Sequence, residues 1–283
     1  MKISIVIPVY NEAERLGACL DAIAAQTVAP FEVIVVDNNS TDDTVAIACR
    51  YPFVRLVREP RQGVVHARTT GFNAARGDIL GRIDGDSIIA LDWVATVQQL
   101  FREDHDLAAV SGAVNYYGMA LSSAVDVCDL FIRRRIARLM GRDVALQGAN
   151  LALRRKAWLK VRGDLCNKGD LHEDFDLAIH LVRAGYTNKF DERLRVRLDF
   201  QRVNMGWRGF NKYVWLSPQS YSQHHLTSQR HMYPIVIFLS AAYLPLKLLH
   251  RSYDPELQRG TMKQLFSAAQ PTTVRPNPAL FVD

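Results

Sequence analysis

An open, mostly parallel α/β sheet, doubly wound with helices on both faces, is the fold class this sequence predicts. Three observations carry the reading: short, almost continuous apolar runs, stretches of helical periodicity between them, and polar residues gathered just after the runs. Uninterrupted apolar strands suit a sheet covered on both faces. Strands that alternate with helices join in parallel.

The elements follow in order. ISIVIPVY opens as a strand, and EAERLGACLDAIAAQ places Leu16, Leu20 and Ile23 at helical spacing. FEVIVVDNNS is the second strand, and TDDTVAIACR starts a helix with Asp42 and Asp43 in the first turn, where the helix dipole favours anions. VRLVRE is the third strand, GVVHARTTGFNAARG a helix ending at Gly77, and DILGRID the fourth strand. Beyond residue 90 the pattern is mixed. LDWVATVQQLFRED reads as helix, LAAVSGAVNYY as strand, 122–140 as a helix bearing RRRIAR, GANLALRR as strand and EDFDLAIHLVRAG as a helix closed by Gly185. No internal repeat or low-complexity segment is visible.

Composition narrows the function classes. The chain has 283 residues, 48% of them hydrophobic and 23% charged, as in an ordinary globular protein. Its 35 basic and 29 acidic residues give +6, too mild for a dedicated nucleic-acid binder and compatible with anionic phosphates or a membrane surface. No recognition motif or aromatic–basic interleaving points to nucleic acid. Cys19, Cys49, Cys128 and Cys166 are scattered without CxxC or metal-ligand spacing, which predicts a reducing compartment and buried thiols. MKISIVIPVYNE enters a strand at once, with no signal peptide expected. The run YPIVIFLSAAYLPLKLL (233–249) carries Pro234 and Pro245, is short of the ~20 residues of a span, and reads as a buried or interfacial helix. These features predict a cytoplasmic protein, at most peripheral at the inner face of the cell membrane.

In open α/β sheets ligands bind beyond the carboxyl ends of the strands. Polar residues stand at those ends here: Tyr10, Asn11 and Glu12; Asp37, Asn38 and Asn39; Asp84 and Asp86. The first strand–helix turn has neither GxGxxG nor GxxxxGK[ST], which argues against a dehydrogenase or a P-loop enzyme. A pyrophosphorylase-type basic glycine-rich loop is missing as well. The segments PVYNE, VVDNNSTDDT, ARTTGFNAARGD, the DGD triplet, GANLALRRKAW and EDFDLAIHLVRAGY, in that order, resemble the family 2 glycosyltransferases, inverting nucleotide-sugar transferases of GT-A fold. The resemblance spans roughly residues 1–190.

That resemblance implies a donor-binding half (1–110) and an acceptor-binding and catalytic half (111–200) of one domain; outside it, the apolar run predicts a helical extension (201–260) that can associate with a membrane, and the proline-bearing end a flexible tail (261–283). It implies Mn²⁺ or Mg²⁺ beside a UDP- or GDP-type sugar donor, with Asp86 the more direct metal ligand and Asp84 also facing the ribose or sugar. Hard divalent cations take oxygen ligands and often only one or two carboxylates. Gly85 lets both side chains face one crevice; a plain surface turn is the competing reading of DGD. Asp37 and Asn38 can read base or ribose, or simply form a helix entry. Asn38 stands where relatives often carry aspartate. Pro8, Tyr10 and Glu12 line the same crevice in relatives. Arg68, in ART where relatives show ARN, can grip phosphate or be an exposed surface arginine.

Glu173 and Asp174 match the family's ED pair, with Asp174 as the general base. The same residues also suit a helix N-terminus. Gly148 and Asn150 border donor sugar and acceptor by resemblance, and His172 orients the pair or meets acceptor. QRVNMGW misses the QxxRW of processive synthases, which favours single-sugar transfer. His224, His225 and His231 read as packed or exposed rather than as zinc ligands. Arg133, Arg134, Arg135 and Arg138, with Arg154, Arg155 and Lys156, read as a solvated face or as a dock for anionic lipid. The function expected is transfer of one sugar to a glycan or lipid-linked acceptor in cell-envelope or exopolysaccharide synthesis. The alternatives are a polyprenyl-phosphate glycosyltransferase and a non-enzymatic nucleotide-sugar sensor or scaffold.

Overall fold

The computed structural model describes residues 1–141, 146–166, 171–254, 257 and 259–266. Of the expected flexible tail, residues 267–283 lie outside the described residues. The first half alternates as the apolar runs require: β1 (Ile3–Val9), α1 (Leu16–Ala24), β2 (Glu32–Asp37), α2 (Thr44–Ala48), β3 (Val54–Arg58), α3 (Val64–Ala74) and β4 (Ile79–Ile83). Then come β5 (Ile88–Ile89), α4 (Trp93–Glu103), β6 (Leu107–Tyr117), α5 (Ser122–Met140), β7 (Asn150–Arg154), α6 (Arg155–Val161), α7 (Glu173–Arg183) and β8 (Thr187–Asp199). Two long helices, α8 (Gly206–Gln223) and α9 (Tyr233–Arg251), precede a small β9–β10 hairpin (Tyr253–Asp254, Arg259–Gly260) and the short α10 (Met262–Leu265).

Among the described residues one sheet runs β3-β2-β1-β4-β7-β6-β8-β5. β1 pairs in parallel with both β2 and β4, so the strand order reverses at β1 and opens a crevice beyond its carboxyl end. β7 is antiparallel to β4, with Ile83 opposite Asn150. The antiparallel turn brings residues 147–149 beside Asp84. β6 and β8 run parallel, and their last residues, Tyr117 and Asp199, reach the same end of the sheet.

Burial explains why the strands read as apolar throughout. Ile5, Ile7 and Val35 pack with α1 and α4 on one face, while Val6, Ile34 and Val36 pack with α3, α6 and α7 on the other. β8 escaped the sequence reading for the converse reason. Its sequence, TNKFDERLRVRLD, is charge-rich, with Leu194 and Val196 fully buried. Its charges are matched in place: Arg193 donates to Asp191 and Glu103, and Lys189 Nζ lies 3.2 Å from Asp191.

In the C-terminal extension the structure sets aside the buried alternative for 233–249. α9 is one helix of 19 residues, long and apolar enough to cross a membrane, and only 17% of its apolar window is buried. It is therefore not a core helix. Val236 and Tyr243 pack on Phe210 and Val214 of α8, whereas Tyr233, Ile237, Phe238, Leu244 and Leu248 are exposed at helical spacing. The basic cluster divides. Arg133 pairs with Asp129 and Arg134 with Glu192, while Arg154 and Arg155 donate to backbone carbonyls of Leu107 and Ala75. These contacts tie four of the basic side chains into the fold, while Arg134, Arg135, Arg138 and Lys156 are exposed, as a solvated face requires. Cys19 is buried, but Cys49 and Cys128 are exposed, contrary to the expectation of buried thiols throughout.

Candidate functional site

A cleft of about 640 Å³ lies beyond the carboxyl ends of β1, β4, β6 and β8, within the size range of small-ligand sites. Its walls bring together ten of the residues singled out in the sequence: Pro8, Tyr10, Glu12, Asp84, Gly85, Asp86, Gly148, His172, Glu173 and Asp174. At its acidic corner three carboxylates, Glu12, Asp84 and Asp86, converge. Burial, reinforced by the charges of Asp84 and Glu12, pushes the Asp86 carboxyl up to about 7. Burial likewise raises Glu12, partly offset by Arg15. Arg15 lies 3.4 Å from Glu12 and Arg82 3.2 Å from Asp84, whereas among the described residues no basic side chain forms an ion pair with Asp86. Gly85 keeps an ordinary backbone; its function is space, since a Cβ there would stand 3.0 Å from Val9 Cγ1 and 3.2 Å from Glu12 Cγ.

Glu173 and Asp174 open α7 on the opposite wall. Arg82, 3% exposed, joins the two walls: its guanidinium donates to Glu173 Oε1 on one side and to Asp84 Oδ1 at 3.2 Å on the other. Burial alone would raise the Glu173 carboxyl, but Arg82 and Arg68 hold it below its ordinary value. Asp174 goes the other way, raised by burial and by the neighbouring Glu173 charge. Its Oδ2 accepts from the Gly148 backbone N–H at 2.9 Å. Adjacent carboxyls with opposed shifts leave one a fixed anion and the other the better proton acceptor. The His172 imidazole packs edge-on to Tyr213 of α8, ring centroids 4.7 Å apart, and burial lowers its basicity.

Four candidates do not line the cleft. Arg68 is 1% exposed and donates to the Glu173 carbonyl at 2.8 Å; it is not a surface arginine, and in this structure it anchors the start of α7 from behind. Asn150 is fully buried, accepting from Trp93 Nε1–H at 2.9 Å and donating to the carbonyls of Ala113 and Leu194. Asn38 spends its amide on Glu59 O and Arg61 O and accepts from Gly63 N–H, shaping the loop before α3. Asp37 is buried and accepts from Ser40 N–H at 3.1 Å.

The cleft also holds residues the sequence reading did not assign: Arg82, Tyr116, Gln147, Asp199, Arg202 and Tyr213. Arg82 stands within DILGRID, where an arginine at the end of a buried strand is itself the signal. Arg202 belongs to QRVNMGW, read only for the QxxRW it lacks. Its guanidinium stacks 3.8 Å from the Tyr213 ring centroid.

Known proteins resemble this chain in sequence and in fold. A family model described as glycosyl transferase family 2 matches residues 4–161. Glycosyltransferase AglE of Haloferax volcanii is 31% identical over 181 residues, covering 60% of this chain and 59% of that protein. A chondroitin synthase of Escherichia coli is 33% identical over 112 residues, 38% of this chain and 16% of the synthase. The chain thus spans less than two thirds of the length of these relatives. Among solved structures, mannosyltransferase PcManGT from Pyrobaculum calidifontis in complex with GDP-Man and Mn²⁺ has a TM-score of 0.64 at 20% identity, over 93% of this chain and 77% of that one. S. aureus TarS 1-349 in complex with UDP has a TM-score of 0.53 at 16% identity, over 76% and 65%. At these identities the likeness is one of fold.

Proposed function

The chain belongs to glycosyl transferase family 2, and from that premise we propose that it is an inverting enzyme moving one sugar from a nucleotide-diphosphate sugar to a glycan or lipid-linked acceptor in cell-envelope or exopolysaccharide synthesis. The observation that carries the reading is Arg82, which ties the Asp84–Asp86 corner to the Glu173–Asp174 pair across one cleft. Donor and acceptor chemistry thereby face each other at fixed separation.

The acidic corner fits a divalent cation, Mn²⁺ or Mg²⁺: an Asp86 carboxyl pushed up to about 7 by burial and neighbouring carboxylates is what a site built around a missing positive charge looks like. Asp86 and Asp84 would hold the ion, and the two neighbours solved with GDP-Man and Mn²⁺ or with UDP support such a donor. When bound, the ion supplies Lewis-acid stabilisation of the diphosphate leaving group. Asp174 takes the acceptor's hydroxyl proton as the oxygen attacks, its lone pairs held by Gly148 N–H. Glu173, kept ionised by Arg82 and Arg68, stabilises the positive charge growing on the sugar ring. Tyr10, half exposed at the mouth, closes over the base.

A lipid-linked acceptor is favoured by the α9 ridge. Tyr233, Ile237, Phe238, Leu244 and Leu248 form an exposed apolar face, Trp215 of α8 lies 6.2 Å from Tyr233, and Trp207 is 58% exposed. Aromatic and aliphatic side chains in this arrangement suit the boundary of a leaflet, and α8 also supplies Tyr213 and Leu216 to the cleft. Peripheral contact with an anionic membrane follows, and liposome flotation tests it.

The decisive experiment is a thermal-shift panel of UDP-, GDP- and dTDP-sugars with and without Mn²⁺, followed by nucleotide release from the stabilising donor. A Mn²⁺-dependent shift that Asp86→Asn abolishes supports the reading; no shift with any donor refutes it. Asp174→Asn then separates acceptors. A hydroxyl acceptor loses about 10²–10⁴-fold in rate, whereas a polyprenyl phosphate, already anionic, tolerates the change.

A further inference from the structure

Two residues beyond Asp174, α7 enters a second cluster that the transfer reaction does not use. Cys166 Sγ, an Asp176 carboxylate oxygen and one ring nitrogen each from His180 and His224 all lie within 4.8 Å of one another. Asp176 and His180 are one helical turn apart on α7, His224 stands at the end of α8, and Cys166 comes from the segment after α6. Two imidazoles, a thiol and a carboxylate are a zinc-type donor set, of the softness that selects zinc over Mg²⁺ or Mn²⁺.

The charge balance points the same way. Asp176 is 1% exposed. Among the described residues no lysine or arginine forms an ion pair with it; its neighbours are His224 Nε2 at 2.8 Å, His180 Nε2 at 3.5 Å and the Cys166 N–H at 3.0 Å. His180 Nε2 is buried without a hydrogen-bond partner although it faces that carboxylate. A buried carboxylate beside an unsatisfied ring nitrogen and a thiol is costly unless a cation joins them.

We propose that Cys166, Asp176, His180 and His224 bind one zinc-type ion that staples α7 to the end of α8. On binding, the Cys166 thiol gives up its proton, and thiolate plus carboxylate offset the divalent charge. The ring proton of His224 moves from Nε2 to Nδ1. Arg183, now 3.1 Å from Nδ1, then leaves that nitrogen while keeping its bond to the His224 carbonyl at 2.7 Å. The ion fixes one wall of the cleft, because α7 begins with Glu173 and Asp174 and α8 carries Tyr213 and Leu216. Nothing in this proposal depends on the sugar-transfer reading.

The test uses the full chain, purified without a histidine tag, with metal content measured by mass spectrometry. One zinc per chain, retained through dialysis against Mg²⁺ and removed by a strong chelator with a fall of roughly 5 °C or more in melting temperature, is the expected result. Co²⁺ loaded in its place gives a thiolate-to-cobalt charge-transfer band, lost in Cys166→Ser and kept in Asp86→Asn, which separates this site from the donor cleft. A wild-type chain with substoichiometric zinc and no thiolate–cobalt band overturns the proposal and leaves a hydrogen-bonded cluster only. Because that readout is on the wild type, misfolding of a variant cannot hide it.

Discussion

Replacing Arg82 with methionine tests the link between the two walls of the cleft. The side chain is 3% exposed and its guanidinium serves Glu173 and Asp84 at once. Its removal leaves Glu173, itself enclosed, with one remaining cation, Arg68, whose NH1 lies 3.9 Å from Glu173 Oε2. Breaking a buried pair from one side costs about 3–5 kcal/mol. The surviving Arg68 contact places this case near the lower end, about 3 kcal/mol, since Glu173 keeps part of its compensation. For a chain of this size that is a fall of roughly 6–12 °C in melting temperature. Glu173→Leu added to Arg82→Met removes the stranded charge, so the double variant should be more stable than Arg82→Met alone. Neither variant should retain transfer activity, because Asp84 and the start of α7 lose their common anchor; a shift of about 1 Å at a reacting group costs on the order of 10²-fold in rate. Urea unfolding of the four proteins in the cycle, alongside nucleotide release, reads both effects. Arg82→Met within 1 kcal/mol of wild type, or a double variant no more stable than the single, would refute the reasoning.

Other positions give sharper signatures of their own. Gly148→Ala would place a Cβ 2.2 Å from Arg82 NH1; since Arg82 is held from both sides it cannot yield cheaply, and the variant should lose about 1–3 kcal/mol by overpacking together with activity, as melting and turnover will show. Asn150→Ala strands the Trp93 Nε1–H and two carbonyls inside the sheet and should cost roughly 2–4 kcal/mol while leaving the KM for acceptor unchanged; an altered KM would restore it to the acceptor site. Glu59 accepts from Arg61 and Thr70, and the Arg61 hydrogen bond above all lowers its carboxyl from an ordinary 4.5 to about 2. A lowered folded value means that its contribution is fully present above pH 4.5 and is lost as pH falls toward 2. Glu59→Gln should therefore be less stable than wild type at pH 7 and approach it at pH 3, in denaturant titrations at the two values.

The helices and strands of the first half were legible because each obeys a local rule. ISIVIPV, EVIVVD and ILGRI are apolar on both faces, which only a covered parallel strand requires. β8 is legible only in its second half, where RLRVRL (193–198) alternates strictly and buries Leu194 and Val196; the charges before it are compensated by residues far away in sequence, such as Glu103, and β7 gave no sign that it would run antiparallel. The DGD and ED segments were likewise visible as short patterns, and the structure sets both in one cleft. A pattern cannot say which face a side chain takes, however. Asn38 reads as a base or ribose contact or a helix entry, and Asn150 as a neighbour of donor sugar and acceptor; in the structure both amides are bound to buried backbone carbonyls, as buried polar groups require.

What the amino-acid order determined alone was the sheet's covered strands, the family resemblance and the acidic residues available at the strand ends, because those follow from local periodicity and short motifs. What tertiary structure decided was charge pairing: that Arg82 spans the cleft, that Arg68 stands behind Glu173, and that Asp176 meets His180 and His224. Apart from Asp176 and His180, one helical turn apart on α7, these partners are separated by tens of residues along the chain, and only packing brings their charges close enough to act on one another.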